Sequence, residues 1–450
     1  MLVDDDALRA ELVAQAGRMA YRASRPDDAA ALLEDARTAF AAIGDERSVA
    51  RTTSVLADID FEAGHPPKAV ARLEPVVAVL EPLGPDEVLA EIEAQLGRFL
   101  FFSGRLDEAF PHLEQALALA EMLDLRETFV QALNSKAVLT MHKGRLREAR
   151  ILFEGALEVA LANDLHSAAL RAYNNLSVLL WSTDEWEANV RNIDRALELA
   201  RRIGHRNWEA NFTGGSIGTL YVLGRWDEAM VRADEAQELA SSEFARGLLL
   251  QVVHVLAHRG ALKEAREFLL RHEDVSRSEN PDFAGGYAMI ESVLLRAEED
   301  PRGALAAAER AVALDSSLTA SGRLFLVEML ESAAALEDLD RIRAGLAAID
   351  ALPPGQLARS LRAQRARFRA RLPESDPVEE LRTAERIFAD LGMVFHLAVT
   401  RLELAEVLLA QNRTAEAEPP LAAALETFEQ LEATPWIERA KQLDSRTLVS

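Results

Sequence analysis

His254 and His258 lie four residues apart and would share one face of a helix, a spacing at which two imidazoles can reach one metal ion. No His-Glu-x-x-His pattern accompanies them, and spacing fixes no third ligand, although His272 follows closely. They read as satisfied or surface histidines, and no metal or cofactor is expected. The run Thr213-Gly214-Gly215-Ser216-Ile217-Gly218 has the glycine content of a phosphate-cradling loop. It lacks a lysine and a preceding strand, so it reads as small residues that clear space or let helices approach, as do Gly285-Gly286. Carboxylates are plentiful, but every pair that can be placed falls on a polar helix face, where nothing would lift a pKa toward that of a general acid. No catalytic residue is expected, and the chain reads as non-enzymatic.

Recognition is the other chemistry on offer. Arg359, Arg362, Arg365 and Arg369 are spaced three, three and four apart, in a stretch free of acids. They form one helix stripe that could dock an acidic partner or simply pair with acids of adjacent helices. Residues taken at intervals of 40 form further sets. One runs Arg51, Glu91, Gln131, Arg171, Asn211; a second Ser54, Ala94, Asn134, Asn174, Gly214; a third Asp58, Arg98, Val138, Val178, Gly218. A fourth is Phe61, Phe101, Met141, Trp181, Tyr221. Amides and guanidinium groups beside an aromatic row suit a groove that grips extended chain, and the aromatic row could equally pack between helices. Arg98, Asn134, Arg171, Asn174, Trp181, Asn211 and Tyr221 are the candidate groove residues. Four of the five tryptophans and seven asparagines crowd residues 163–226, which places the expected site in the central repeats; Trp186 and Trp226 read as structural.

Elements that could position these groups follow from composition and period. The 450 residues are 49% hydrophobic and 28% charged, with only 22 glycines and 16 prolines, and helix formers fill nearly every stretch. Seventy-four acids against 50 bases give a net charge of −24, which argues against nucleic acid and anionic membrane as partners. Absence of cysteine excludes disulfides, thiolate zinc sites and thiol nucleophiles. The start, Met1-Leu2-Val3-Asp4-Asp5-Asp6, is acidic where a secretion signal is basic then apolar, so a cytoplasmic location is expected.

A phrase of Gly, any residue, hydrophobe, two polar residues and Ala recurs at Gly104–Ala109, Gly144–Ala149 and Gly224–Ala229. Worn copies begin at Gly64, Gly260 and Asn412, and one at Asp184 reads as shortened by a residue. Ala29, Ala69, Ala109, Ala149 and Ala229 are separated by multiples of 40. Each phrase fits a turn between two helices of about 17 residues, the glycine closing one helix and the alanine admitting the second. Pairs are expected over 5–42, 46–82, 86–123, 126–163, 166–203, 206–241, 243–274, 283–316, 319–351, 357–391 and 394–430. The fold class is all-α: a right-handed superhelical solenoid of about eleven antiparallel helix pairs with a capping helix near 435–444. Pairs one to nine would occupy 1–352, and the last two with the cap 353–450, as one continuous solenoid broken only by short turns at Pro353-Pro354-Gly355 and Pro373–Pro377.

With the hook glycine as reference, a large-then-small pair falls on Leu56-Ala57, Leu96-Gly97 and Leu176-Ser177, and the pattern resembles the tetratricopeptide repeat in a longer-helix form. Lys136 and the inverted Ser216-Ile217 depart from it, and repeats nine and ten lack the hook glycine. Near the C-terminus come Leu361–Phe368, Leu391-Gly392-Met393-Val394-Phe395-His396-Leu397-Ala398-Val399, Ala405–Leu409 and Ala433–Ala440. This succession resembles the repeat region of large bacterial signalling ATPases of the STAND type that carry cyclase or LuxR-type DNA-binding domains. The resemblance implies a sensor or regulatory array whose groove takes a protein or peptide segment and which acts on an ATPase or cyclase module. It carries no catalysis, because the chain has no Gly-x-x-x-x-Gly-Lys-Ser/Thr loop. The alternative reading is a small-molecule-sensing repeat domain controlling an ATPase, cyclase or transcription regulator, which a closed pocket at Trp181, Tyr221 and Asn174 would favour.

Overall fold

The computed structural model describes residues 6–447 apart from 24, 240–242, 316–319, 354 and 356, with the side chains of 320 and 444–447 also left aside. Met1–Asp5, Pro354 and the expected pair ends at 241, 316 and 319 lie outside the described residues. Among the described residues every regular element is helical, and the hook turns account for the alternation. Gly104, Gly144 and Gly224 take φ of 75°, 75° and 72°, left-handed values that close one helix and start the next two residues later. Ala109, Ala149 and Ala229 are then wholly buried. Gly97 shows why the preceding helix wants a small residue: a Cβ there would lie 2.7 Å from the Leu113 side chain.

The chain forms two compact units, Met1–Leu176 and Ser177–Ser450. In the first, α1 (Asp6–Arg22) and α2 (Pro26–Ala42) pair, followed by α3 (Glu46–Glu62) with α4 (Pro66–Leu80). Next come α5 (Glu87–Phe102) with α6 (Leu106–Met122), and α7 (Arg126–His142) with α8 (Leu146–Ala162). The division falls inside α9 (His166–Ser182).

The second unit continues with α10 (Trp186–Ile203), α11 (Arg206–Val222) and α12 (Trp226–Leu239). The next first helix is broken into α13 (Glu243–Leu249) and α14 (Val252–Arg259), and α15 (Leu262–Arg271) packs on it. Then follow α16 (Pro281–Ala297) with α17 (Pro301–Leu314) and α18 (Ala320–Ala335) with α19 (Leu339–Asp350). The last pairs are α20 (Arg359–Arg369) with α21 (Pro377–Leu391) and α22 (Val394–Ala410) with α23 (Thr414–Gln430), capped by α24 (Thr434–Thr447). Each pair contacts the next, and the unit curls until α22 meets α11 and α24 meets α14.

One sequence reading is corrected. The hook at Asp184 is not shortened: α10 starts at Trp186, as α8 starts at Leu146 and α12 at Trp226, so the 40-residue register is intact. Asp184 stands where its neighbours hold glycine, at φ 61°, and Asn189 stands where they hold alanine. Glu337 and Asn412 fill left-handed hook positions in later repeats in the same way.

Candidate functional site

The first unit gathers charges from several of its first helices. Arg98 on α5 stacks its guanidinium 4.5 Å from the Phe61 ring, and Arg171 on α9 faces Asp58 from α3. Among the described residues neither arginine makes an ion pair or hydrogen bond. Burial and the charge of Arg171 bring Arg98 down to about 10, and burial lowers Arg171 as well. Burial raises Asp58, and it raises the Tyr21 phenol on α1. Two half-buried guanidinium groups thus stand among Asp58, Glu62 and Glu127 without pairing directly with any of them. Asn134 on α7 is 2% exposed, and its Oδ1 has no hydrogen-bond partner. Asn174 donates to Asn175 Oδ1 at 3.4 Å.

The second unit closes around a cavity of about 130 Å³. Trp181 and Tyr221, expected beside a groove, line it together with Trp186, His254, His258, Phe395, His396 and Trp436. Trp181 meets Trp186 edge-to-face at 4.9 Å, Tyr221 stacks on Trp226 at 5.8 Å, and His258 lies 4.3 Å from Phe395. Burial pushes His254 and His396 down to about 4 and His258 well below its ordinary value, so all three are neutral at pH 7. A second cavity of about 430 Å³ adjoins it, sharing His258, Val293, Arg296, Glu331, Arg367 and Trp436. Asn211 lies outside both linings, and its Oδ1 is buried without a partner.

Between the cavities runs a chain of buried charges. Arg367, 4% exposed at its side chain, grips Glu403 bidentately at 2.7 and 2.8 Å and also pairs with Glu331. Arg371 donates to Glu403 at 2.6 Å, and Arg296 to Glu328 at 2.9 Å, where Ser292 adds a bond at 3.0 Å. Arg367 and Arg296 hold the Glu331 carboxyl at about 2, whereas burial pushes Glu328 up against the pull of Arg296. Fully hydrogen-bonded pairing is what makes such burial tolerable. These carboxylates correct the expectation that all acids sit on polar faces: each is drawn inward by an arginine of a neighbouring repeat.

The arginine stripe is less available than its spacing implied. Arg359 pairs with Asp390 at 3.0 Å, Arg365 with Asp350, and Arg369 with Glu380 at 3.1 Å; Arg362 is exposed. Gly218 clears space as expected, since a Cβ there would lie 3.2 Å from the Trp181 ring. Among the described residues no group of His, Asp or Glu is arranged to hold a metal ion, and no helix is long and apolar enough to cross a membrane.

The tetratricopeptide-repeat family model matches residues 94–123 and 169–203, two stretches that fall on the hook-and-pair units described above. Those two stretches are tetratricopeptide repeats. The remaining helices repeat that architecture in consecutive packed pairs, the framework of a protein-interaction scaffold. A Signal Transduction ATPase with Numerous Domains (STAND) protein with a tetratricopeptide repeat sensor from Pyrococcus horikoshii is similar in structure, with TM-score 0.50 and 15% identity over 72% of this chain. The chain spans 50% of the length of that archaeal protein. The human IFIT1 dimer with m7Gppp-AAAA gives TM-score 0.49 at 14% identity, covering 88% of this chain and 90% of that one. No curated protein matches at the sequence level.

Sequence reasoning missed the inward arginine–glutamate chain of the second unit. A signal was present: Glu331, Arg367 and Glu403 are spaced 36 apart on successive first helices, and Arg296–Glu328 and Arg371–Glu403 32 apart, with Arg371 just past the end of α20. Opposite charges recurring at the local repeat length mark a ladder between helices rather than a solvated face.

Proposed function

We propose that this chain is a non-enzymatic, cytoplasmic scaffold and sensor of a bacterial signalling system that binds a protein or peptide segment and biases an ATPase or cyclase module. The observation that carries the reading is the pair Arg98 and Arg171 on the first unit, near enough for Arg171 to act on Arg98 and each without an ion pair or hydrogen bond among the described residues. Two guanidinium groups held without ion pairs in a chain of −24 favour a carboxylate-bearing segment. Similarity to an archaeal tetratricopeptide sensor attached to a signalling ATPase supports the regulatory role. The test is fluorescence anisotropy of the full chain against extended peptides of matched length carrying none to three acidic residues. Acidic peptides are expected to bind best, and Arg98→Ala with Arg171→Ala to weaken them at least about tenfold. Equal binding of neutral peptides, or no effect of the double substitution, would overturn the reading.

A second reading, a small-molecule-sensing repeat domain, is favoured by the cavity of about 130 Å³ in the second unit, which includes Trp181 and Tyr221 but not Asn174.

A further inference from the structure

The cavity of the second unit contains polar groups that the protein leaves unanswered. Trp186, 4% exposed, has its indole Nε1 buried with no hydrogen-bond partner. His396 Nδ1 is buried without a partner on another face of the same cavity. Tyr221, 7% exposed, uses its carbonyl to accept from Trp226 at 3.0 Å, and its hydroxyl has no partner among the described residues. Leaving such a buried group unpaired costs about 1–3 kcal/mol, so the Trp186 and His396 nitrogens around one space call for a molecule that answers them, with the Tyr221 hydroxyl as a further contact.

Size and charge narrow that molecule. An engineered cavity of roughly 150 Å³ in another protein takes up benzene, so about 130 Å³ suits one ring with a small substituent. The walls are ring faces and edges, Trp181 against Trp186 and Phe395 against Trp436 at 5.3 Å, which suits a flat guest. The ionised groups of the far wall are already committed to one another. Arg296 pairs with Glu328, Arg367 pairs with Glu331 and, beyond the lining, with Glu403, and Arg323 donates to the carbonyls of Trp181 and Ser182 and lies 3.7 Å from Asp184. A charged guest would have to break one of these buried pairs, whereas an uncharged one need not.

We propose that this chamber is a binding site for an uncharged, single-ring molecule bearing a hydrogen-bond acceptor for the Trp186 indole N–H, with Tyr221 and His396 as further polar contacts. The inference rests on the small-molecule reading and names its ligand class. Benzamide and benzoate are the probes, since they match in shape and differ in charge. Calorimetric titration of the full chain should show benzamide binding at least about tenfold tighter than benzoate. Tyr221→Phe should weaken benzamide about 3–10-fold, the worth of one hydrogen bond. Removal of an unpaired hydroxyl should leave the melting temperature unchanged or higher, so lost affinity would not reflect misfolding. Trp186→Phe provides an independent variant with the same expected loss. Tighter binding of benzoate would overturn the ligand class while leaving the small-molecule reading standing. Benzamide binding that neither substitution weakens would place the site elsewhere and overturn the proposal. Binding of neither probe at millimolar concentration would overturn both.

Discussion

The carboxylate of Asp184 accepts hydrogen bonds from both the backbone N–H and the hydroxyl of Ser360, each at 2.7 Å, across 176 positions of sequence. Its side chain is 0% exposed, and Arg323 lies 3.7 Å away. A hook turn thus fastens an early helix pair of the second unit to the start of α20. Left-handed backbone at a non-glycine residue costs about 1 kcal/mol, so Asp184→Gly should recover that much locally. It should still lower stability by about 2–3 kcal/mol overall, because Arg323 and Ser360 lose their buried acceptor. Urea denaturation followed by tryptophan fluorescence measures the difference, and a more stable glycine variant would show that the latch contributes nothing.

Arg367→Met removes the centre of the buried charge chain and strands Glu331 and Glu403. A loss of about 3–5 kcal/mol is expected, and Arg367→Lys should not restore it because one ammonium cannot reproduce the two-sided grip. In the wild type Glu331 sits at about 2, below its ordinary 4.5, so its contribution is present above that ordinary value and fades as pH falls toward 2. Chemical denaturation at pH 5, 4 and 3 should show this fall in the wild type and a smaller one in the methionine variant.

The buried histidines act at milder pH. His254 and His396 are held near 4 against an ordinary 6.5, so the folded state binds fewer protons than the unfolded state in that window. Stability therefore rises with pH from about 4 to 6.5, by an amount on the order of 2–3 kcal/mol per histidine. His254→Gln and His396→Gln should each flatten the profile between pH 4.5 and 7, and an unchanged slope in both would refute the assignment.

Gly285 and Gly286 are neighbours on one helix with opposite expected behaviour. A Cβ on Gly285 would sit 2.6 Å from the Phe325 ring, whose side chain is fully packed, while a Cβ on Gly286 meets nothing within 4 Å. Gly285→Ala should destabilise by about 1–3 kcal/mol through overpacking, and Gly286→Ala should stabilise by about 0.5–1 kcal/mol through helix propensity. Thermal melts of the two variants decide it.

Arg98 and Arg171 cost stability where they stand, because burial opposes both and the charge of Arg171 also opposes Arg98. Arg171→Met should raise stability by about 1 kcal/mol while weakening acidic peptides, the signature of a residue retained for binding. A destabilised variant would mean that Arg171 serves packing instead.

Helix boundaries were legible in the sequence because a 40-residue spacing and a glycine hook are local signals: the expected pair 126–163 is α7 and α8, and 166–203 is α9 and α10. The register at Asp184 was misread because aspartate in a left-handed hook looks like a missing glycine. Arg98 with Arg171, and Trp181 with Tyr221, were picked out by repeat position, and each pair comes together within its own unit. The chamber itself was not legible. Its walls include Phe395, His396 and Trp436, which sit far along the chain and meet Tyr221 and His258 only because the second unit turns back on itself. No periodicity encodes where a superhelix closes.

That closure changes how the second unit must behave when repeats are removed. In a linear array each repeat touches only its neighbours, and trimming an end subtracts stability in proportion. Here Arg259 donates to the Leu431 carbonyl at 3.2 Å and Trp436 to His258 at 3.3 Å, contacts spanning 172 and 178 residues. Deleting α22 to α24 would therefore strip one wall from helices that lie far earlier in the chain. The unit should melt as a single cooperative block and fold slowly for a helical protein, since the last-made segment completes the first-made surface.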